Sequence, residues 1–281
     1  MTDVRSAAQG DSGPDNLEST AGTGIDTSVP HSARIWNYWL GGKDHYPVDQ
    51  EVGDQILAFV PELVRSARAD RYFLARAVRY LTAQGIRQFL DIGTGLPTVD
   101  NTHEVAQRAA PETKIVYVDN DPLVLVHARA LLTSTPEGAC DYIDADVRDP
   151  ESIVRQASRT LDFGQPIAIM MLGIVNFIMD TDEAVSIVRR LMDATVPGSY
   201  LVISHPTTEV DAEPMTEAVR FWNQQGSAPM TLRTRAELLR LFDGLELAEP
   251  GVVTCSRWRP DVMEIGETAD VTHFGGVARK T

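Results

Sequence analysis

The sequence is poor in cysteine, in basic residues and in long apolar runs. Two cysteines in 281 residues, Cys140 and Cys255, exclude a disulfide framework and a cysteine-rich zinc site, and they favour a reducing compartment. The longest apolar run, residues 167–179, is broken by Gly173 and Asn176 and is shorter than the about 20 residues that span a bilayer. Because no basic-then-apolar signal pattern opens the chain, we expect a cytoplasmic protein without a membrane partner.

Basic residues are outnumbered, with 25 lysines and arginines against 40 acidic residues and a net charge of −15. A nucleic-acid backbone needs a basic face, so this charge argues against such a partner. Residues 1–30 are rich in Gly, Ser, Thr, Asp and Pro, which predicts a disordered acidic tail. The six histidines lack paired spacing such as H-x-x-x-H, so we predict no metal site.

Residues 31–85 have a helical pattern. A dense aromatic cluster over residues 35–40 ends at Gly41-Gly42, and a helix is expected from Pro47 to about Val60. Apolar residues then recur every three to four positions up to Gly85, a suitable C-terminal cap. This segment predicts an N-terminal helical cap.

Residues 86–281 alternate between strand and helix patterns. The predicted strands are Gln88–Gly93, Lys114–Asp119, Asp141–Asp146, Pro166–Leu172, Tyr200–His205, Leu245–Glu249 and His273–Arg279. The predicted helices are Thr102–Ala109, Pro122–Leu132, Pro150–Thr160, Thr181–Ala194 and Thr234–Phe242. This alternation predicts an α/β fold with a Rossmann-like, doubly wound seven-stranded sheet, helices on both faces and mostly parallel strands. The last two strands lack a clear intervening helix, which favours an antiparallel C-terminal edge strand.

Glycines follow the first predicted strand in the sequence Asp91-Ile-Gly-Thr-Gly. Gly93 and Gly95 let the backbone turn tightly and approach a ligand in the crevice of a doubly wound sheet. Thr98 occupies the position of a dinucleotide fingerprint's third glycine, which argues against NAD. Asp91 at the strand end suits an ammonium group better than a pyrophosphate.

Acidic residues also end the next two strands. Asp119 can accept both hydroxyls of a ribose, and Asp146 followed by Val147 can take an adenine amino group while packing the ring. The competing interpretation is a surface turn or helix cap, the role we assign to Asp121 and Asp149, which stand near prolines.

This arrangement of acids and glycines resembles the class I S-adenosylmethionine-dependent methyltransferases over about residues 86–279. The segment HSARIWNYWLGGKDHYPVDQ (His31–Gln50), with LDIGTGLPT, VYVDNDP, PGSYLVISH and FDGLELAEPGVV, is similar to an actinobacterial family of S-adenosyl methyltransferases of unknown substrate. The resemblance covers nearly everything after residue 30.

The resemblance implies a cofactor site for S-adenosyl-L-methionine. Its methionine end would be lined by Asp91, Gly93, Thr94 and Gly95, its ribose bound by Asp119, and its adenine flanked by Asn120, Asp146 and Val147. The Arg34–Tyr46 segment, with Gly42 in its turn, would cap the site. The methionine carboxylate needs a cation, which either Arg34 or Lys43 could supply.

The acceptor site is less defined by the sequence. We expect Tyr38, Trp39, Tyr46 and Asn176 to contact the substrate, although aromatics at helical spacing are usually core. His205 at the end of strand five is a weak candidate for a catalytic base, and its alternative role is a histidine satisfied by nearby backbone. Asn176 is the other weak catalytic candidate, because it follows strand four, where the resemblance implies that the acceptor approaches. Several related small-molecule methyltransferases carry a histidine near this position, and its replacement here by Asn176 argues against a general base after strand four.

These observations predict S-adenosylmethionine-dependent methyl transfer to a small-molecule acceptor. Because the sequence offers no assured catalytic residue, a non-catalytic sensor of the cofactor is the alternative function. An NAD(P)-dependent oxidoreductase is disfavoured by Thr98.

Overall fold

The structure is a computed structural model that describes residues 26–131, 133–226, 228–261 and 269–281. The predicted acidic tail therefore lies outside the described residues up to residue 25. Among the described residues, no helix is both long enough and apolar enough to cross a bilayer.

Helices and strands alternate after three N-terminal helices. The helices are α1 (Ser32–Trp39), α2 (Pro47–Phe59), α3 (Leu63–Ala83), α4 (Thr102–Ala109), α5 (Pro122–Leu131), α6 (Pro150–Ala157), α7 (Thr181–Asp193), α8 (Ala212–Gln225) and α9 (Arg235–Arg240). The strands are β1 (Gln88–Ile92), β2 (Lys114–Asp119), β3 (Ala139–Asp144), β4 (Ala168–Leu172), β5 (Tyr200–Pro206), β6 (Glu246–Leu247), β7 (Val253–Thr254) and β8 (His273–Arg279). Short 3-10 helices cover Val175–Phe177 and Cys255–Arg257.

The strands form one sheet in the order β3-β2-β1-β4-β5-β8-β6, and β7 also pairs with β8. Strands β1 to β5 are parallel, whereas β8 is antiparallel to β5, with Pro206 opposite His273. The strand order reverses between β1 and β4, and a doubly wound sheet binds its ligand at this switch point. Because β8 runs backwards, its first residue lies at the same sheet edge as the carboxyl ends of β4 and β5.

Alternating strand residues fill two cores, one on each face of the sheet. On one face, Leu90 and Val116 pack with apolar residues of α6, α7 and α9. On the other face, Phe89 and Ile115 pack with α3 and α4, including Phe73 of α3. These buried strands confirm the doubly wound prediction.

The predicted cap of residues 31–85 divides into two parts. Helices α1 and α2 pack with the start of α3 and with α8 in a separate apolar cluster, which includes Ile35, Ile56 and Trp222. The rest of α3 covers the sheet, so it belongs to the helical layer beside α4.

The structure differs from the predicted elements in three places. Helix α8 was not predicted; Pro214 falls in its first turn, where proline is tolerated. Strand β3 ends at Asp144, so Asp146 stands on the following loop. The antiparallel C-terminal strand β8 lies inside the sheet, because β6 and β7 pair with its outer side and form the edge.

Candidate active site

The loop after β1 contains two glycines with positive φ, and the first of them lies against the side chain of Ile174. Gly93 has a φ of 76° and Gly95 a φ of 62°, which glycine adopts without strain. A Cβ at Gly93 would lie 2.6 Å from the Ile174 side chain, so no larger residue fits there. The loop can therefore bring its backbone against a ligand between β1 and β4.

Asp119 at the end of β2 holds this loop in place. Its Oδ2 accepts a hydrogen bond from the Gly95 N–H at 2.9 Å, and its Oδ1 accepts from the N–H groups of Asn120 and Asp121 at 2.8 and 3.0 Å. Burial nevertheless raises the pKa of the Asp119 carboxyl. Asp119 lines a large cavity at this sheet edge and is available to a ligand's hydroxyl groups.

Opposite charges meet at the end of β1. Asp91, 5% exposed, accepts a hydrogen bond from Thr102 Oγ1 at 2.6 Å, and burial raises its pKa to about 6. Arg71 of α3 lines the same part of the cavity. Burial raises the pKa of Asp91 and of the neighbouring Asp70, and the charge of Arg71 opposes this rise in both. Its Nη2 donates to the carbonyls of Val99 and Asp100 at 3.3 and 3.2 Å. A carboxyl group and a guanidinium at the same end of the cavity suit a zwitterionic ligand.

The cavity continues past β2 to the loop after β3. Thr94, Asn120, Asp146 and Val147 all line it. Val147 is buried, whereas the Asp146 side chain is about half exposed and accepts from the Arg148 N–H at 2.8 Å. An apolar residue beside an exposed carboxylate can pack and hydrogen-bond one edge of a ring.

The apolar half of the cavity lies under α1 and α8. It is lined by apolar side chains of the helices, namely Ile35, Trp36, Trp39, Leu40, Ile56, Leu63, Met215, Ala218, Val219 and Trp222, with Met230 after α8. Asn176 and His273 line the cavity as well. Both halves belong to one cavity, so a ligand at the glycine loop and a second molecule can meet in it.

Arg34 and Lys43 do not line this cavity. Arg34 Nε lies 3.3 Å from Asp49 Oδ1, and its other nitrogens donate to the carbonyls of Asp26 and Val29 at 3.0 and 2.6 Å. Lys43 is exposed. The structure thus gives Arg34 the role of anchoring the N-terminal segment and corrects our choice of cation, because Arg71 lies at the glycine loop.

Gly42 is required by a turn. A Cβ at Gly42 would lie 2.3 Å from Asn37 Oδ1. The Gly42 N–H donates to the main-chain carbonyl of Asn37 at 2.8 Å. Gly42 is not among the cavity's lining residues, whereas Asn37 is. The glycine therefore shapes the end of α1, and the expected cofactor contact of Gly42 is replaced by an indirect role.

Two of the expected substrate contacts lie outside the cavity. Tyr38 donates to Asp54 Oδ1 at 2.6 Å, and Tyr46 lies under the Arg34 guanidinium, 5.3 Å from its ring centre. Trp39 and Asn176 do line the cavity. Trp36 and Trp39 of α1 therefore border the cavity, whereas Tyr38 is directed to Asp54 of α2.

His205 is not a base in this structure. Its Nδ1 lies 2.7 Å from the Pro206 carbonyl and its Nε2 lies 2.7 Å from Arg233 Nη1. Burial, with repulsion from Arg233, lowers its pKa to about 3. Its two ring nitrogens are satisfied, so the structural role that we held as the alternative replaces the catalytic one.

Sequence reasoning missed Arg71, His273 and the walls supplied by α8. Arg71 is one of several arginines on α3, and only the packing of that helix shows which one faces β1. His273 opens a strand that we treated as an edge. The spacing of Met215, Ala218 and Trp222 at one side of a helix was the available signal for α8. Among the described residues, no three His, Cys, Asp or Glu side chains converge as metal ligands.

Comparisons with known proteins match this architecture. A family model described as S-adenosyl methyltransferase matches residues 18–281. The structure of a DUF574 family protein from Streptomyces avermitilis is similar, with 46% identity, a TM-score of 0.87, and coverage of 91% of this chain and 99% of that one. A candidate methyltransferase from Thermobifida fusca is also similar, with 37% identity, a TM-score of 0.82, and coverage of 95% and 100%.

A more distant structure is similar in fold alone. It is the plantazolicin methyltransferase BpumL in complex with S-adenosylhomocysteine, with 11% identity, a TM-score of 0.50, and coverage of 89% of this chain and 95% of that one. No functionally curated protein matches. The match over residues 18–281 and the two similar proteins show that the chain belongs to the S-adenosyl methyltransferase family, whose cofactor is S-adenosyl-L-methionine.

Proposed function

We propose that this S-adenosylmethionine-dependent methyltransferase acts on a small-molecule acceptor bound beneath α1 and α8. The observation that carries the proposal is the single cavity that joins the glycine loop to an apolar half. Such concave, mostly apolar sites with a few polar groups are typical of small-molecule binding.

The residues at the glycine loop fit the amino-acid end of the cofactor. Asp91 would accept from the ammonium group, and Arg71 would pair with the carboxylate. Both side chains line the cavity at the end of β1, and the two charges offset each other in the absence of a ligand. Gly93 and Gly95, both with positive φ, give the loop the tight turn by which its backbone would face the cofactor.

The nucleoside end fits the loops after β2 and β3. Asp119 would accept from the ribose hydroxyls, Val147 would pack on the adenine, and Asp146 would accept from its amino group. Thr94 and Asn120 line the cavity between these positions. The spread of these groups along three neighbouring loops suits a ligand with a charged amino-acid end, a ribose and an adenine.

When bound, S-adenosylmethionine supplies an electrophilic methyl group on a sulfonium. The protein's own contribution is to hold the acceptor in line with that group and to keep water away. Trp36 and Trp39 on α1, with Trp222 on α8, supply apolar walls for this purpose. Helix α1 itself is held by the buried pair of Arg34 and Asp49.

The cavity favours a small acceptor over a macromolecule. Helices α1 and α8 cover the apolar half, and both pack with α2 in the cluster that includes Ile35 and Trp222. The chain's net charge of −15 also disfavours nucleic acid. Oxygen and nitrogen acceptors are both compatible with this argument.

Isothermal titration calorimetry with S-adenosylmethionine, S-adenosylhomocysteine and NADH tests the cofactor site first. We expect binding of the first two only. Release of S-adenosylhomocysteine is then followed with a panel of small apolar alcohols, phenols and amines. Turnover of at least one class supports the proposal, whereas tight cofactor binding without turnover of any acceptor would favour a sensor.

A further inference from the structure

We propose that the acceptor is an apolar ring compound bearing a hydroxyl group, and that His273 is the catalytic residue that accepts the proton of this hydroxyl during methyl transfer. This inference rests on the proposed function and names the substrate class of the same site.

His273 lies at the right edge of the sheet for this role. It opens β8 opposite Pro206, the last residue of β5, and it lines the cavity with only 4% exposure. Its Nδ1 is 3.4 Å from Thr272 Oγ1. Within the part of the chain that the structure describes, its Nε2 makes no hydrogen bond, so this nitrogen can accept one from a ligand.

Helix α1 connects His273 to the glycine loop. A Cβ at Gly95 would lie 3.9 Å from the Ala33 Cβ, which places the start of α1 against the cofactor loop. Trp36, three residues on and so about 4.5 Å further along the helix axis, packs its ring edge-on against His273 with centroids 5.6 Å apart. Helix α1 therefore contacts the cofactor loop through Ala33 and His273 through Trp36.

Asn176 gives a second, independent sign of a hydrogen-bonding ligand. It is 2% exposed, it lines the cavity, and its Oδ1 has no hydrogen-bond partner among the described residues. A buried carbonyl oxygen left unpaired is costly, so a site of this kind is completed by a donor on a bound molecule. The acceptor is expected to carry a second polar hydrogen for Asn176.

The position of Asn176 is held rigidly. Arg233 donates to the main-chain carbonyls of Val175 and Ile178 on either side of it, at 3.0 and 2.6 Å. The Thr231 N–H donates to the main-chain carbonyl of Asn176 at 2.8 Å. A fixed unpaired oxygen selects ligands by geometry, so Asn176 is a specificity-determining residue in this proposal.

The walls around these two polar groups indicate an apolar ring. Trp36, Trp39, Trp222, Met215 and Met230 line this half of the cavity. Aromatic and thioether side chains pack well on ring faces and edges. A strongly charged acceptor would lose its hydration here without a partner of opposite charge.

The proton transfer is balanced in charge. The O–H proton moves to His273 Nε2, the oxygen lone pair forms the bond to the methyl carbon, and the carbon–sulfur electron pair stays on sulfur. The positive charge passes from the sulfonium to the imidazolium, so the cavity holds one positive charge before and after. Burial lowers the pKa of His273 to about 4, so its imidazole is neutral at pH 7 in the empty cavity.

The ionisable groups near His273 come from the two elements beside β8. His205 of β5 interacts with His273 electrostatically, and Asp70 and Arg71 of α3 line the same cavity. Trp36 on α1 and Thr272 on its own segment are neutral neighbours.

The test uses 2-naphthol, with 2-methoxynaphthalene as the matched ligand that lacks the hydroxyl hydrogen, on protein saturated with S-adenosylhomocysteine. Excitation makes 2-naphthol a strong acid, so in a dry site it emits as the naphtholate only when a base is within hydrogen-bond distance. We expect 2-naphthol to bind about tenfold more tightly than its methyl ether and to emit as the naphtholate.

Variants assign the effect to the residue. His273→Phe and His273→Gln should emit as neutral naphthol, and His273→Gln should lose at least about 100-fold in kcat for 2-naphthol with little change in KM for the cofactor. His127→Phe, a half-buried histidine of α5 outside the cavity, is the matched control and should emit as the wild type.

Each other outcome is informative. Neutral emission from the bound wild type, or no binding of 2-naphthol while S-adenosylhomocysteine binds, overturns this inference and leaves the proposed function standing. Naphtholate emission that persists in both His273 variants also overturns it. Failure of S-adenosylhomocysteine to bind contradicts the proposed function itself.

Discussion

The guanidinium of Arg233 donates a hydrogen bond to the Nε2 of His205 across 2.7 Å. The same guanidinium reaches the carbonyls of Val175 and Ile178, so it joins the end of β5 to the 3-10 helix that carries Asn176. This buried link removes His205 from the list of possible bases and gives it a part in holding the site together.

Replacing Arg233 is expected to be costly. Arg233→Met leaves the Ile178 carbonyl and His205 Nε2 without the donor they have in the wild type, whereas the Val175 carbonyl keeps the Ile178 N–H. Each buried unsatisfied group costs about 1–3 kcal/mol. We expect the free energy of unfolding, measured in urea, to fall by at least about 2 kcal/mol. Arg220→Met, an exposed arginine paired with Glu217, should change it little, and equal losses in both variants would contradict the assigned role.

The stability should depend on pH through His205. Its pKa is about 3 when folded and about 6.5 when unfolded, so the unfolded chain binds the extra proton between these values. Wild-type stability should therefore fall as the pH drops from about 6.5 towards 3, by at most about 1.4 kcal/mol per pH unit from this group.

Asp91 has the opposite effect on stability below pH about 6, because its raised pKa lets the folded protein bind a proton that the unfolded chain does not bind. The variant His205→Asn is therefore needed to isolate the contribution of His205. Unfolding followed from pH 7 to 4 should show a smaller loss of stability in that variant than in the wild type. Parallel curves would show that His205 is not responsible.

We expect Asp119 both to hold the glycine loop in place and to bind the ribose of the cofactor. Asp119→Ala removes the acceptor of three N–H groups and the expected ribose contact, so the affinity for S-adenosylhomocysteine should fall at least about tenfold, or about 1.4 kcal/mol. Calorimetry measures this directly. Asp144→Ala, an exposed acid at the end of β3 that does not line the cavity, is the control, and unchanged affinity in a folded Asp119 variant would remove the assignment.

Arg71 should recognise only the carboxylate of the cofactor. Arg71→Gln is expected to weaken S-adenosylhomocysteine about tenfold or more, because a charge-assisted contact is lost. Methylthioadenosine lacks the amino-acid end, so its affinity should stay within about twofold. Equal losses of affinity for the two ligands would indicate a general disturbance of the cavity. The variant Arg34→Gln is the comparison, because Arg34 anchors α1 and does not line the cavity.

Cofactor affinity should fall in acid because of Asp91. Its pKa is about 6 without ligand, and an ammonium group nearby favours the charged carboxylate, so binding expels a proton below that pH. The affinity for S-adenosylhomocysteine should be level above pH 6 and fall below it by up to about tenfold per pH unit. Calorimetry between pH 5 and 8 tests this, and Asp91→Asn should be weaker throughout and show a flatter profile.

The glycine loop and its acids could be predicted because local patterns determine them. A buried strand followed by Asp91, Gly93 and Gly95 forms the same turn in any parallel sheet of this kind, and the carboxyl ends of its strands meet at one edge. Asp119 and Asp146 follow neighbouring strands, so they converge on the same crevice. The structure places all of these residues on one cavity.

The cation and the aromatic contacts could not be predicted in the same way. Arg34 and Arg71 both lie on helices near the loop, and whether a side chain points to the cavity depends on the rotation of each helix against its neighbours. Arg34 turns towards Asp49 of α2, whereas Arg71 turns towards β1. Tyr38 and Trp39 are adjacent in sequence and both contact α2 near Gly53, yet only Trp39 also lines the cavity.

The sequence alone determined the order of strands and helices, the turn at the glycines and the acids that follow three strands, since each depends on residues close together in the chain. Only the tertiary structure decided which cation faces the loop, that α8 closes the apolar half, and that His273 and Asn176 share its wall. These contacts join different elements, separated by about 20 residues for Arg71 and the glycine loop and by about 100 for His273 and Asn176. Their geometry is set by the packing of helices on the sheet, which has no local signature.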